Sequence, residues 1–239
     1  RDAGMITQMG MPAASILSSR GCNFDCSFCS IRRFYGSAPG LLRRSRSAKN
    51  VADEMEALYE NGARIFDFKD DDFSMKGRSR GRWIEDLAGE MESRSLSEDI
   101  ILKVSCRIDE IEKEALQRMK EIGLGMVYLG IESGSENGLK SFNKHYGVDE
   151  IRETLQILQA TRMSFEYGFM ILEPSSSFDS IRENISFLQE LCKDGRVVAH
   201  FARTYPYVGT AVAARLKEEG RLKGTIDYPD YSYLDGRID

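Results

Sequence analysis

Ala14-Ser15-Ile16-Leu17-Ser18-Ser19-Arg20-Gly21-Cys22-Asn23-Phe24-Asp25-Cys26-Ser27-Phe28-Cys29 joins a short apolar run to three thiols at C-x3-C-x2-C spacing. The run reads as a strand over 14–19 with a turn at Arg20-Gly21, so the thiols stand on the loop that leaves a strand end. Three of the five cysteines fall in this one loop. Such clustering requires a chemical reason, and the elements on either side limit what it can be.

Downstream, the same pattern recurs. Residues 29–47 are rich in Gly, Pro, Ser and Arg and read as a long irregular loop, a kind of segment that is more often functional than idle. Ser47 is placed to cap a helix carrying Val51, Met55 and Leu58. A second strand over 64–69 precedes a helix over 83–91. A third strand over 100–106 precedes a helix that Asp109 caps, Glu112 boxes and Ile111, Ala115, Met119 and Ile122 line. A fourth strand over 126–131 leads to a helix around Ile151, Leu155 and Leu158, and a fifth over 165–172 to one marked by Ile181, Ile185 and Leu188. A sixth over 197–202 is followed by a helix over 211–219. Six strands each followed by a helix imply parallel pairing through right-handed crossovers. The expected fold is α/β, a partial (β/α)6 TIM-type barrel, with an open doubly wound sheet as the other arrangement of such units. In both, ligands bind at the carboxyl ends of the strands, where the cysteine loop begins.

Composition narrows the function. The 239-residue chain is 41% hydrophobic, enough to bury a substantial core as one domain. Its net charge of −5 argues against a general nucleic-acid coat. It contains no run of 18 apolar residues and no secretory signal, so a soluble, cytoplasmic protein without membrane partners is expected. Residues 1–13 read as a lead-in whose start without Met suggests a cut from something longer, residues 14–224 as the barrel, and residues 225–239 as an acidic tail with three tyrosines and no period.

Three thiols leave several chemistries open. A disulfide framework does not suit three close cysteines in a cytosolic chain. A structural zinc site wants four ligands, the fourth drawn from His145, His200, Cys106 or Cys192. An iron-sulfur cubane held by three thiolates keeps one iron open, and an open position is where a substrate or cofactor coordinates.

C-x3-C-x-aromatic-C after the first strand of a β/α series resembles the signature of the radical S-adenosylmethionine (SAM) superfamily, and the likeness extends over about 14–222. Ser18-Ser19-Arg20-Gly21 and Tyr128-Leu129-Gly130-Ile131-Glu132-Ser133-Gly134-Ser135 are most similar to the branch that often carries a cobalamin-binding domain ahead of the barrel. The resemblance implies a [4Fe-4S] cluster on Cys22, Cys26 and Cys29, SAM chelated to its open iron, and reductive cleavage of SAM to a 5'-deoxyadenosyl radical. It also implies methylation or rearrangement at an unactivated carbon of a small molecule, a reductant such as flavodoxin or ferredoxin, and a cobalamin-binding domain or separate chain. The rival readings are a cobalamin-independent oxidase, cyclase or thiolation enzyme of the same superfamily, and a zinc-stapled binding module.

Carried over residue by residue, the resemblance places Phe28 near the adenine and Asp70 or Asp71, in Lys69-Asp70-Asp71-Asp72, at the SAM ammonium. It places Ser105 and Arg107 at the SAM carboxylate and Glu132 at the ribose hydroxyls. Gly168 and Ile171 fall on the adenine-contacting strand, where Glu173-Pro174-Ser175 replaces the family's usual Gly-x-Pro-Gly-Glu, and Ile171 also reads as plain core. Cys106 and Cys192 read as ordinary buried thiols. His145 and His200 are open as ligand or base, and Arg32, Arg33, Arg43, Arg44 and Arg46 as acceptors of an anionic substrate.

Overall fold

The structure is a computed structural model that describes residues 6–96, 98–195, 197–199 and 201–239. In chain order, β1 (Ile6–Gln8) turns back into β2 (Met11–Ile16), followed by β3 (Ser19–Arg20), α1 (Ile31–Gly36), β4 (Arg44–Ser45) and α2 (Ala48–Glu60). Then come β5 (Ile65–Phe68), α3 (Arg78–Ser93), β6 (Ile101–Arg107), α4 (Lys113–Glu121), β7 (Leu124–Glu132), α5 (Glu136–Ser141) and α6 (Val148–Ala160). The chain closes with β8 (Ser164–Leu172), α7 (Phe178–Cys192), β9 (Ala202–Arg203), α8 (Ala211–Glu218), β10 (Leu222–Gly224) and β11 (Pro229–Tyr231). The predicted strand and helix alternation is present, and its strands pair mostly parallel.

The residues divide into two compact units. The first comprises residues through Gly21, Arg43–Gly130 and Glu153–Glu166. In it β2 pairs parallel with β5, β5 with β6 and β6 with β7, while β1 lies antiparallel on β2. Ser47 caps α2 as expected, accepting from Asn50 N at 3.2 Å, and Val51, Ala52 and Met55 turn inward. They join Phe66, Phe68, Phe73, Ile84, Leu87 and Met91, all essentially inaccessible. Each such side chain contributes about 1.5–3 kcal/mol through burial. Phe73 stands edge-on to Phe68 at 5.2 Å and to Trp83 at 6.0 Å.

The second unit comprises Cys22–Leu42, Ile131–Arg152 and Tyr167–Asp239. Here β8 pairs parallel with β9 through Met170↔Ala202 and Leu172↔Arg203. Tyr167, Phe169 and Ile171 alternate inward along β8, and Phe169 stacks on Phe187 of α7 at 6.0 Å. A separate core joins Val212 and Leu216 of α8 to Tyr231 and Tyr233, with Phe28 packed against it.

Several expectations are corrected. The first strand begins at Met11 and not at Ala14, and Ile6–Gln8 of the lead-in pairs with it. The 29–47 loop contains the short helix α1. Asp109 does not cap a helix: Ile108–Glu110 is a 3-10 turn, Glu112 stands at the N-cap without a side-chain cap bond, and the Asp109 carboxylate is engaged by Arg107 instead. Ile185 is 40% exposed, and α7 turns Ser180, Asn184, Phe187 and Leu188 inward. The sixth strand is shorter than 197–202, with Ala202–Arg203 paired. His200 lies outside the described residues. The tail has strand structure, since β11 pairs antiparallel with β10.

Candidate functional site

In the second unit the cysteine loop is gripped by the segment that follows α5. Ser27 N donates to Phe142 O at 2.9 Å and Ser27 Oγ to Ser141 O at 2.7 Å. Asn143 Nδ2 donates to Asp25 O at 3.2 Å, and His145 Nε2 meets Asp25 Oδ1 at 3.1 Å. That bond with His145 holds the Asp25 carboxyl below the usual carboxylate range. Val212 N reaches Ser27 O at 3.0 Å, and Phe28 meets Phe142 edge-on at 5.2 Å. Asn143 (φ 56°) and His145 (φ 60°) both adopt left-handed backbone, which non-glycine residues rarely hold. Lys144 between them is turned inward.

Lys144 is 2% exposed, a rare state for lysine unless it is paired. Its Nζ donates to Glu132 Oε1 at 3.2 Å and to Cys26 Sγ at 3.9 Å. It also stands 5.5 Å from the Phe28 ring centroid and 5.7 Å from that of Tyr146. One ammonium therefore joins three residues singled out in the sequence: Cys26, Phe28 and Glu132. Lys144 itself was missed, because nothing periodic marks Phe142-Asn143-Lys144-His145. Glu132 ends β7 with φ 68°, a strained position of the kind that collects at functional sites.

Cys22, Cys26 and Cys29 are in no disulfide, and each is partly buried. Among the described residues, no three Cys, His, Asp or Glu side chains converge at metal-binding spacing. Metal-binding loops commonly bring their ligands together around the ion itself. The donor set suits an iron-sulfur cluster: three thiols on one loop, with a buried ammonium beside one of them to offset thiolate charge.

On the strand that contributes Gly168 and Ile171, alternation separates the two. Ile171 shares the buried face with Tyr167 and Phe169, and its carbonyl accepts from Asn184 Nδ2 at 3.0 Å, so its side chain belongs to the core. Gly168 lies on the opposite, more open face. Asn184 Oδ1 also accepts from Ser133 Oγ and Gly134 N, fixing the turn after Glu132.

In the first unit the acidic run after β5 is divided among different tasks. Asp70 is 5% exposed and accepts from Ser18 N at 2.7 Å and from the Ser18 and Ser19 hydroxyls at 2.5 Å each. Its carboxylate is committed to the Ser18-Ser19 turn. Asp71 is exposed and accepts from Gly21 N at 2.6 Å. Asp72 is buried, which raises its carboxyl above the usual range, and accepts from Arg107 N at 3.3 Å. Arg107 ends β6, and its fork closes on Asp109 at 2.9 and 3.0 Å. Ser105 sits two residues earlier on the same face, partly exposed. Cys106 faces the other way, and burial pushes its thiol well above the ordinary range, as expected of a core cysteine.

The arginines after the cysteine loop serve the scaffold in part. Arg43 Nη2 donates to Asp72 O at 2.8 Å, and Arg46 binds Leu17 O, Asn50 and Glu54. In the second unit, Arg32 donates to Asn23 O at 2.7 Å.

Residues 16–188 match the sequence profile of the Radical SAM superfamily. An uncharacterized methyltransferase of Pyrococcus horikoshii is 30% identical over 95% of this chain and 46% of its own length. The hopanoid C-3 methylase of Methylococcus capsulatus is 27% identical over 91% of this chain and 38% of its own length. The chain thus spans less than half the length of these relatives. Among solved structures, the TsrM methyltransferase of Kitasatospora setae, with tryptophan and a SAM analogue bound, superposes with TM-score 0.74 at 19% identity, over 95% of this chain and 44% of that one. The cobalamin-dependent SAM radical enzyme OxsB, with aqua-cobalamin and SAM bound, gives 0.72 at 17% identity, over 94% and 39%. The shared fold is the expected partial TIM-type barrel of mostly parallel strands.

Proposed function

This chain belongs to the Radical SAM superfamily, and from that premise we propose that it holds a [4Fe-4S] cluster on Cys22, Cys26 and Cys29 and cleaves SAM reductively for methylation or rearrangement at an unactivated carbon of a small molecule. When bound, the cluster would supply the electron for cleavage and an open iron position for the amino and carboxylate groups of SAM to chelate. The observation that carries the reading is the buried Lys144 ammonium, which touches Cys26 and Glu132 together.

The chain's own residues then divide the work. Lys144 pairs with the SAM carboxylate, a role the sequence resemblance had given to Arg107, whose fork is already closed by Asp109. Glu132 accepts from the ribose hydroxyls, and Phe28 lies along the adenine. For the SAM amino group, which keeps N–H donors when it chelates, the proposed acceptor is Asp71, since both oxygens of Asp70 already accept from Ser18 and Ser19. Ser105 is proposed for the SAM carboxylate and Gly168 for the adenine, and the core position of the Ile171 side chain argues against a contact there.

Methylation assisted by cobalamin, bound by a domain or chain outside this sequence, is the favoured outcome, supported by the methyltransferases among the relatives and by cobalamin-dependent OxsB. A flavodoxin or ferredoxin is the proposed reductant. A cytoplasmic location is proposed; among the described residues no helix is long and apolar enough to cross a membrane.

Anaerobic reconstitution with iron and sulfide, followed by dithionite and SAM, tests the reading. A brown protein that forms 5'-deoxyadenosine is expected, with formation abolished by Cys22→Ala, Cys26→Ala or Cys29→Ala. A colourless, zinc-loaded protein without SAM turnover refutes it.

A further inference from the structure

In the first unit, β5 and β6 carry charge where a parallel sheet covered on both faces would carry Val, Ile or Leu. The register sets Ser15 beside Asp67 and Asp67 beside Lys103. Alternation then puts Lys69 on the same face as Asp67, and Ser105 and Arg107 on the same face as Lys103. Lys69 N continues the ladder to Ile16 O at 2.8 Å, so it holds this register one residue past β5. Asp67 is 6% exposed and is held by Lys69 Nζ at 2.6 Å and Gln8 Nε2 at 3.3 Å, while Lys103 Nζ donates to the neutral Gln8 Oε1 at 3.1 Å. Leu102, Val104 and Cys106 occupy the other face as an ordinary core.

A cavity of about 720 Å3 begins at the end of that face, where Ser15, Leu17 and Lys69 line it. Its volume is in the range of small-molecule sites. Arg20, Arg44 and Arg46 complete a wall with four cationic side chains and one carboxylate, Glu54. Arg46 already pairs with Glu54 at 2.5 Å, and Lys69 with Asp67. The Arg20 guanidinium has no hydrogen-bond or ion-pair partner among the described residues. In a chain of net charge −5, a cationic excess gathered around one cavity runs against the average.

We propose that this cavity binds a carboxylate or phosphate group of the substrate, with Arg20 as its principal donor and Arg44 and Lys69 beside it. This assignment of substrate class rests on the SAM-dependent reading above. A guanidinium presents paired N–H groups in the spacing of either anion, and Ser15 and Ser45 add hydroxyl donors at the wall.

Titration calorimetry with sodium pyrophosphate and, separately, sodium citrate tests the site. Saturable binding of at least one anion is expected, weakening as sodium chloride rises. Preference for pyrophosphate or citrate identifies the group as phosphate or carboxylate. Arg20→Gln should weaken binding about tenfold, the combined Arg20→Gln, Arg44→Gln change should remove it, and Arg78→Gln on α3 should leave it unchanged. Should the double variant melt early, Arg20→Gln alone decides, since its side chain has no partner among the described residues to lose. Absence of saturable binding of both anions, or undiminished binding by Arg20→Gln, overturns the proposal. Deoxyadenosine formation is measured separately on the same protein, so a preparation that cleaves SAM without binding anions refutes this inference alone, and the converse refutes the function alone.

Discussion

A buried lysine is the most informative single residue in this molecule. Lys144 is separated from Cys26 by 118 positions, yet its ammonium reaches that thiol and the Glu132 carboxylate. Lys144→Met should weaken SAM binding about ten- to a hundredfold, the scale of a lost hydrogen bond to a charged group, and should make cluster reduction harder by removing a nearby positive charge. Lys144→Arg should restore part of both. Equilibrium binding of SAM and an EPR-monitored redox titration read the two effects, and an unchanged potential with unchanged affinity would place Lys144 in the scaffold. Asp70 and Arg107 show the limit of residue-level reading. Both residue types suit SAM and both stand at the expected strand ends, but their hydrogen-bonding capacity is largely taken by Ser18, Ser19 and Asp109. Which partner a carboxylate or guanidinium finds is a matter of packing, and residue identity does not specify it.

At the level of elements, periodicity predicted position better than boundaries or orientation. The fourth and fifth strands were placed within two residues of Leu124–Glu132 and Ser164–Leu172, because long apolar runs between turns leave little choice. The sixth strand and the helix after β6 were placed less well. Asp109 and Glu112 form a plausible capping pair in sequence, but Asp109 lies within hydrogen-bond reach of a buried guanidinium, and a charge-assisted pair outweighs a cap. Gly134 gives a direct test of how closely one element approaches another. A Cβ added there would stand 2.3 Å from the Cβ of Phe187 on α7, whereas one added at Gly81 within α3 meets nothing within 4 Å. Gly134→Ala should destabilise by about 1–3 kcal/mol and Gly81→Ala should stabilise by about 0.5–1 kcal/mol. Urea unfolding distinguishes them, and equal midpoints for the two variants would show that the approach is looser than described.

For the molecule as a whole, the segment read as an acidic tail without period contributes two side chains to a core. Tyr231 and Tyr233, 3% and 8% exposed, pack with Val212, Leu216 and Phe28 of the cysteine loop, and Arg203 lies over the Tyr231 ring at 4.4 Å. Truncation after Gly224 should therefore lower the thermal midpoint sharply, since loss of a buried aromatic costs about 3–5 kcal/mol; a truncated chain that melts with the full-length protein would contradict this. The sequence alone determined the α/β alternation, the parallel pairing it requires and the three thiols at the end of the first β/α strand. These follow from short-range periodicity and from covalent spacing, which survive without tertiary contacts. Only the tertiary structure decided that Lys144 meets the cysteine loop, that Asp70 and Arg107 are already engaged, that two tyrosines of the tail are core, and that the Arg20 side chain finds no partner among the described residues beside a basic cavity. Each of these depends on burial and on contacts between residues far apart in the chain, where the cost of leaving a charge or hydrogen-bonding group unsatisfied selects one partner among many.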